Sequence, residues 1–308
     1  VSEPRPIDDG LEFDLPGGPD AVLLLHGLTG STFEMHHVAR ALHAGGMRCL
    51  APLMAGHGGP AEDLVGIPWT EWVAKARRDL ERLEGARRRF VVGCSMGALV
   101  ACALAHDHPE KVDGLALLAP ALRLQAAGRL AGWLGRSGLL WRTVVPKTAG
   151  SDVRDRAMRE RNPGLPGVPL AAVSELEALA AHVDARLPGV AAPAIVVLGA
   201  RDGTVSNAGG RRLAARIGSG PAPVVVLPES QHLVGIDVER DLCAEHVRGF
   251  LAAVPVPGAG RARPARRPRA APAAAPAGFG PKPKGKATPG AKPKGARKAA
   301  AARARGAR

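Results

Sequence analysis

Short apolar runs recur along the chain and alternate with longer stretches in which apolar side chains return every three or four residues. The runs are AVLLL (21–25), MRCLAP (47–52), RFVVG (89–93), GLALLA (114–119), AIVVLG (194–199) and PVVVL (223–227). A strand with water on one face alternates apolar and polar residues. Runs this apolar instead predict a parallel sheet covered by helices on both faces, an α/β fold. Helices are predicted over PWTEWVAKARRDLERLEG, opened by Pro68 and Thr70 and stopped at Gly85, and over MGALVACALAHDHP, closed by Pro109.

The alternation is interrupted from about Ala121 to Pro188, roughly twice the length a single crossover helix needs. The second part of this insertion places Leu170, Val173, Leu176, Leu179, Val183 and Leu187 at helical spacing. It predicts an amphipathic helix whose stripe serves packing. The first part holds Leu130, Trp133, Leu134, Leu139, Leu140 and Trp141 in a Gly-broken segment, which fits a cap over a cleft better than plain core.

Composition changes the picture at the C-terminal end. Of 42 Lys and Arg residues, 15 lie in residues 255–308, which contain no Asp or Glu; the first 254 residues therefore hold 27 basic and 28 acidic side chains. The formal charge of +14 thus belongs to a tail, and the body is nearly neutral. Dense in Pro, Ala and Gly with one Phe, that tail is expected to be disordered, so the folded domain is expected to span 1–254. Without interleaved aromatics it can neutralise phosphates but cannot stack on bases, so any nucleic-acid or polyanion contact is expected to be non-specific. A solubilising tail without a partner is the equal alternative.

Cys49, Cys94, Cys102 and Cys243 fall in apolar segments and read as reduced core residues. No signal peptide and no membrane span are expected, and the default compartment is the cytoplasm.

The candidate chemistry begins at Gly93-Cys94-Ser95-Met96-Gly97, between a predicted strand and a predicted helix. A tight turn there holds a serine hydroxyl out at the carboxyl end of the sheet, the nucleophile-elbow arrangement. A serine needs a histidine base and an orienting carboxylate, in the chain order Ser, Asp, His on such a sheet. Asp202, in GARDGTV, follows one predicted strand, and His232, in PESQHLVGID, follows the next. An oxyanion also needs two backbone donors: the N–H of Met96 at a helix start, and that of Leu28 in the loop HGLTGS. His26 and His57 are expected to shape loops. His36, His37, His43, His106 and His108 read as helix or turn residues, so no metal or cofactor is expected.

The segments HGLTGS, APLMAGHG, GCSMGA, VPLAAVSELEALAAHV, GARDGTV and QHLVGIDVE together resemble the bacterial carboxylesterase and monoacylglycerol lipase group of the α/β-hydrolase superfamily. The resemblance covers about residues 15–252. It implies a nucleophile at Ser95, an acid at Asp202, a base at His232 and oxyanion donors at Leu28 and Met96. It also implies that the insertion is a small lid lining the acyl pocket, where Trp133, Leu134 and Trp141 are expected to meet the substrate. Hydrolysis of short to medium acyl esters or monoacylglycerols is the expectation. Thioester hydrolysis, acyl transfer, perhydrolysis and carbon–carbon hydrolysis use the same residues and stay open, as does an inert body whose tail binds nucleic acid.

Overall fold

The computed structural model describes residues 7–256, except 139 and 149. Most of the basic tail, with the disorder and nucleic-acid contact expected of it, lies outside the described residues, as does Leu139.

All six apolar runs are strands. In chain order the strands are β1 (Phe13–Leu15), β2 (Asp20–Leu25), β3 (Arg48–Ala51), β4 (Arg88–Cys94), β5 (Gly114–Leu118), β6 (Val144–Pro146), β7 (Gly167–Pro169), β8 (Ala194–Gly199) and β9 (Val224–Leu227). Seven form one sheet in the order β1-β3-β2-β4-β5-β8-β9, parallel throughout except for β1, which runs antiparallel to β3. β6 and β7 form a separate antiparallel pair within the insertion. Neither that pair nor β1 was expected: each strand is three residues long, too short to show a period.

The helices are α1 (His36–Ala44), α2 (Trp69–Glu81), α3 (Met96–Asp107), α4 (Ala126–Arg136), α5 (Arg156–Arg161), α6 (Leu170–Arg186), α7 (Asn207–Arg216) and α8 (Arg240–Ala253). They explain why the strands are apolar on both sides. Leu23, Leu25, Val91, Leu115, Leu117, Val196 and Leu198 point to one face, where α2, α3, α6 and α7 pack. Their neighbours Val22, Leu24, Phe90, Val92, Ala116, Leu118, Ile195 and Val197 point to the other, under α1 and α8. Each fully buried Leu, Val or Phe contributes about 1.5–3 kcal/mol, so both faces drive the layering.

Helix α3 is the central helix, buried from Met96 to Ala105. The insertion between β5 and β8 holds α4, the β6–β7 pair, α5 and α6. The predicted stripe of α6 is buried from Leu170 to Leu187, and the helix packs on α3. Helix α4 lies on α6 at Gly132 and Gly135, where any side chain would strike Glu177 and the Leu170 backbone. Among the described residues no helix is long and apolar enough to cross a membrane.

Candidate active site

The turn between β4 and α3 puts Ser95 at φ 55°, ψ −111°. Such a backbone costs about 1–3 kcal/mol and persists only when its surroundings fix it. Here the Ser95 N–H donates to the Leu118 carbonyl at 2.8 Å, and the Ser95 carbonyl accepts from Ala98 and Ala121. Gly93 and Gly97 flank it because the turn is too tight for anything larger. A Cβ on Gly93 would enter the Gly97 carbonyl, and one on Gly97 would enter that of Leu25. Thus the elbow is packed directly on the loop that follows β2.

Asp202 and His232 follow β8 and β9, and both are buried. Asp202 Oδ1 accepts the N–H groups of Thr204 and Val205 at 2.8 Å, leaving Oδ2 to accept from His232 Nδ1 at 2.8 Å. A carboxylate at Nδ1 holds the proton there and turns the free lone pair to Nε2. Burial pulls the imidazole's pKa down, but attraction and hydrogen bonding from Asp202, with smaller effects of Asp152 and Glu34, leave it raised above the ordinary histidine value.

Two carboxylates not foreseen in the sequence reading join these loops to the insertion, Asp152 from the insertion and Asp237 from the base-bearing segment. Asp152 Oδ2 accepts from the Gly203 N–H and the Thr204 hydroxyl, and the Asp152 carbonyl accepts from the Leu233 N–H. Fully buried Asp237 accepts the N–H groups of Arg154, Asp155, Gln231 and Val238. Residues 152–155 therefore tie the acid-bearing turn to the base-bearing turn. Asp237 stood in the quoted QHLVGIDVE segment, whereas Asp152 carried no local signal.

The loop after β2 is held at nearly every polar atom. His26 Nδ1 donates to the Gly27 carbonyl at 2.8 Å while its Nε2 accepts from Met54 N–H; His57 Nε2 accepts from Thr29 N–H. Burial drives the pKa of His26 well down and that of His57 to about 4, so both rings are neutral. They shape loops, as expected. Thr29 sits at φ 59°, and its carbonyl accepts from Leu165 N–H of the insertion. Among the described residues the N–H groups of Leu28 and Met96 have no protein acceptor. They are two free donors, on a loop and an elbow that touch.

Cys94 is buried beside Ser95, and burial first, then the nearby Glu34 and Asp202 carboxylates, push its thiol well above the usual range. It stays protonated and does not compete as a nucleophile.

The insertion residues are not brought together. Trp133 is 61% exposed on α4, whereas Leu134 and Trp141 are half-buried. Trp141 lines a cavity of about 550 Å³ with Pro68, Ala171 and Ala178 and with the charged Arg136, Glu175 and Glu177; Ser95, Asp202 and His232 do not border it.

Comparison with known proteins identifies the family. Residues 19–239 match the family model described as "Serine aminopeptidase, S33" (Hydrolase_4). The chain is 29% identical over 254 residues to the thermostable monoacylglycerol lipase of Bacillus sp. (strain H-257), covering 82% of this chain and 98% of that protein. It is 26% identical over 241 residues to a carboxylesterase of Bacillus subtilis (strain 168), covering 78% and 95%. A solved structure from work on LipS and LipT, two metagenome-derived lipolytic enzymes, shares the fold with a TM-score of 0.71 at 23% identity, over 80% of this chain and 99% of that one. With the match extending from the residue before β2 to the residue before α8, the chain belongs to the Hydrolase_4 (S33) family of α/β-hydrolase enzymes.

Proposed function

We propose that this chain is a serine carboxylic ester hydrolase acting on short to medium acyl esters or monoacylglycerols. The observation that carries the reading is the buried His232–Asp202 pair at the same end of the sheet as the strained Ser95 elbow. The relatives named monoacylglycerol lipase and carboxylesterase support the substrate class.

In this reading Ser95 Oγ attacks the ester carbonyl carbon and its proton passes to His232 Nε2. Asp202 keeps the opposite ring proton at Nδ1 and stabilises the imidazolium. The carbonyl oxygen becomes an oxyanion and accepts from the Leu28 and Met96 N–H groups, the latter at the positive end of α3. Collapse breaks the bond to the alcohol, which leaves with the proton from Nε2. Water, deprotonated by the same nitrogen, then releases the acid and restores Ser95. The acyl chain is assigned to the insertion, through Trp133, Leu134 and Trp141. Four free, buried cysteines suit a cytoplasmic setting.

A panel of p-nitrophenyl esters from acetate to palmitate, with one acyl thioester, tests the reading on the wild type and on Ser95→Ala. Ester turnover that disappears in the variant, with fluorophosphonate labelling of Ser95 in the wild type, is the expected result. Turnover of the thioester alone would move the activity to a thioesterase, and no turnover of either would end the reading.

A further inference from the structure

One buried carboxylate in the site has no part in that chemistry. Glu34 lies in the short 3₁₀ turn Thr32–Met35, just after the loop that carries Leu28, and is 4% exposed. Its Oε2 accepts the Gly27 N–H at 2.7 Å. Its carboxylate fills the place of a side chain at Gly30, where any Cβ would collide with it. A Cβ on Gly27 would lie 3.2 Å from Glu34 Oε2 and equally 3.2 Å from Ser95 Cβ, so carboxylate, loop and nucleophile meet at that glycine.

The peptide that Glu34 holds immediately precedes the one bearing the Leu28 N–H. The loop is otherwise restrained through carbonyls and through Thr29, by His26, His57 and Leu165. Among the described residues Glu34 alone accepts the Gly27 N–H and so fixes the near side of Gly27, while the next peptide, which carries the Leu28 N–H, is held at its Gly27 carbonyl by His26 Nδ1 and the Gly30 N–H. The charged or titratable groups around it come from three other elements: Lys147 of the insertion, His232 of the base turn and Cys94 at the end of β4. Burial raises the Glu34 pKa above the ordinary carboxylate value, and the Gly27 N–H and the Lys147 and His232 charges offset that only in part. In return the Glu34 charge favours protonation of His232.

We propose that Glu34 is a positioning residue for ester hydrolysis: through Gly27 it aims the Leu28 N–H at the oxyanion, and its charge steadies the imidazolium formed at His232. This rests on the proposed roles of Ser95, His232 and Leu28. A buried carboxylate so near a developing oxyanion is unfavourable unless it is pinned behind the donors. The Gly27 hydrogen bond does that, and the carboxylate's nearness then serves the histidine.

The test compares Glu34→Ala, which removes both acceptor and charge, with Glu34→Gln, which keeps an acceptor of the same shape and removes the charge. The readouts are kcat and KM for p-nitrophenyl butyrate, the inhibition constant of a butyl trifluoromethyl ketone that forms a hemiketal with serine, and the pH profile of kcat/KM. Folded Glu34→Ala is expected to lose about tenfold to a hundredfold in kcat, with KM within about twofold and ketone affinity falling in parallel, somewhat less than deletion of a whole oxyanion donor. In Glu34→Gln the loss of negative charge lowers the His232 pKa, so the acid limb is expected to move to lower pH. A merely structural role moves neither the ketone affinity nor that limb. Wild-type ketone affinity in folded Glu34→Ala overturns the proposal; if that variant does not fold, an unmoved acid limb in Glu34→Gln overturns it. A wild type whose Ser95 takes no fluorophosphonate label instead removes the hydrolase reading beneath it, and the two failures are distinguishable.

Discussion

The loops at the carboxyl end of the sheet and the insertion beside them are built by opposite means. In the loops, Ser95, Asp202, His232, His26 and Glu34 are all buried, and nearly every polar atom has a fixed partner. The backbone is held in left-handed conformations at Thr29 and Ser95. In the insertion, Leu130 and Trp133 stand 56% and 61% exposed, and ion pairs such as Arg136–Glu177 lie at the surface. The difference teaches where accuracy is needed. Bond-making atoms tolerate sub-ångström error only, whereas an apolar wall for an acyl chain has only to be apolar and near. The insertion is itself divided, because α6 belongs to the core while α4 rests on it.

The sharpest way to break the contrast is to remove the reacting groups. Ser95→Ala and His232→Ala are each expected to lower kcat by about 10⁴- to 10⁶-fold, since such groups act as a unit. Stopped or continuous assay of p-nitrophenyl butyrate reads this directly, and a loss under tenfold would show that the buried loops are not the catalytic region.

Next in size is Asp202→Asn, expected to cost about 10⁴-fold because the ring loses the carboxylate that fixes its tautomer. The same contact sets a pH dependence in the wild type. Only neutral His232 accepts a proton, and its pKa is raised. The acid limb of kcat/KM should therefore lie above an ordinary histidine's, with activity falling as pH drops through it. A limb below the ordinary value would contradict the ionised pair.

Inside the insertion the expected effects are smaller and turn from chemistry to stability and selectivity. Leu179→Ala, at a fully buried position of α6, should destabilise by about 2–5 kcal/mol in urea unfolding. Retained stability would mean that α6 is a detachable cap. Trp141→Ala is expected to shift the chain-length profile by about 1–3 kcal/mol per methylene accommodated, with little change in acetate turnover. Exposed Trp133→Ala should shift it less, and a larger shift than Trp141→Ala would make α4 rather than the Trp141 cavity the wall of the acyl site.

The sequence by itself determined the sheet's six parallel strands, the helices that opened on Pro68 and closed at Pro109, and the order Ser95, Asp202, His232. These are local statements: an apolar run, a glycine on each side of a serine, a polar loop after a strand. The resemblance carried the family as well, because it rests on several such motifs in order. Tertiary structure alone decided the β1 edge pairing, the β6–β7 pair, and the exposure of Trp133, which in sequence looked no different from Trp141. It alone also gave Glu34, Asp152 and Asp237 their partners. Asp152 holds the Gly203 N–H across 51 positions and Asp237 that of Arg154 across 83. A carboxylate bonded to a backbone N–H so far along the chain leaves no periodicity and selects no particular residue type at the other end, so only the folded chain reveals it.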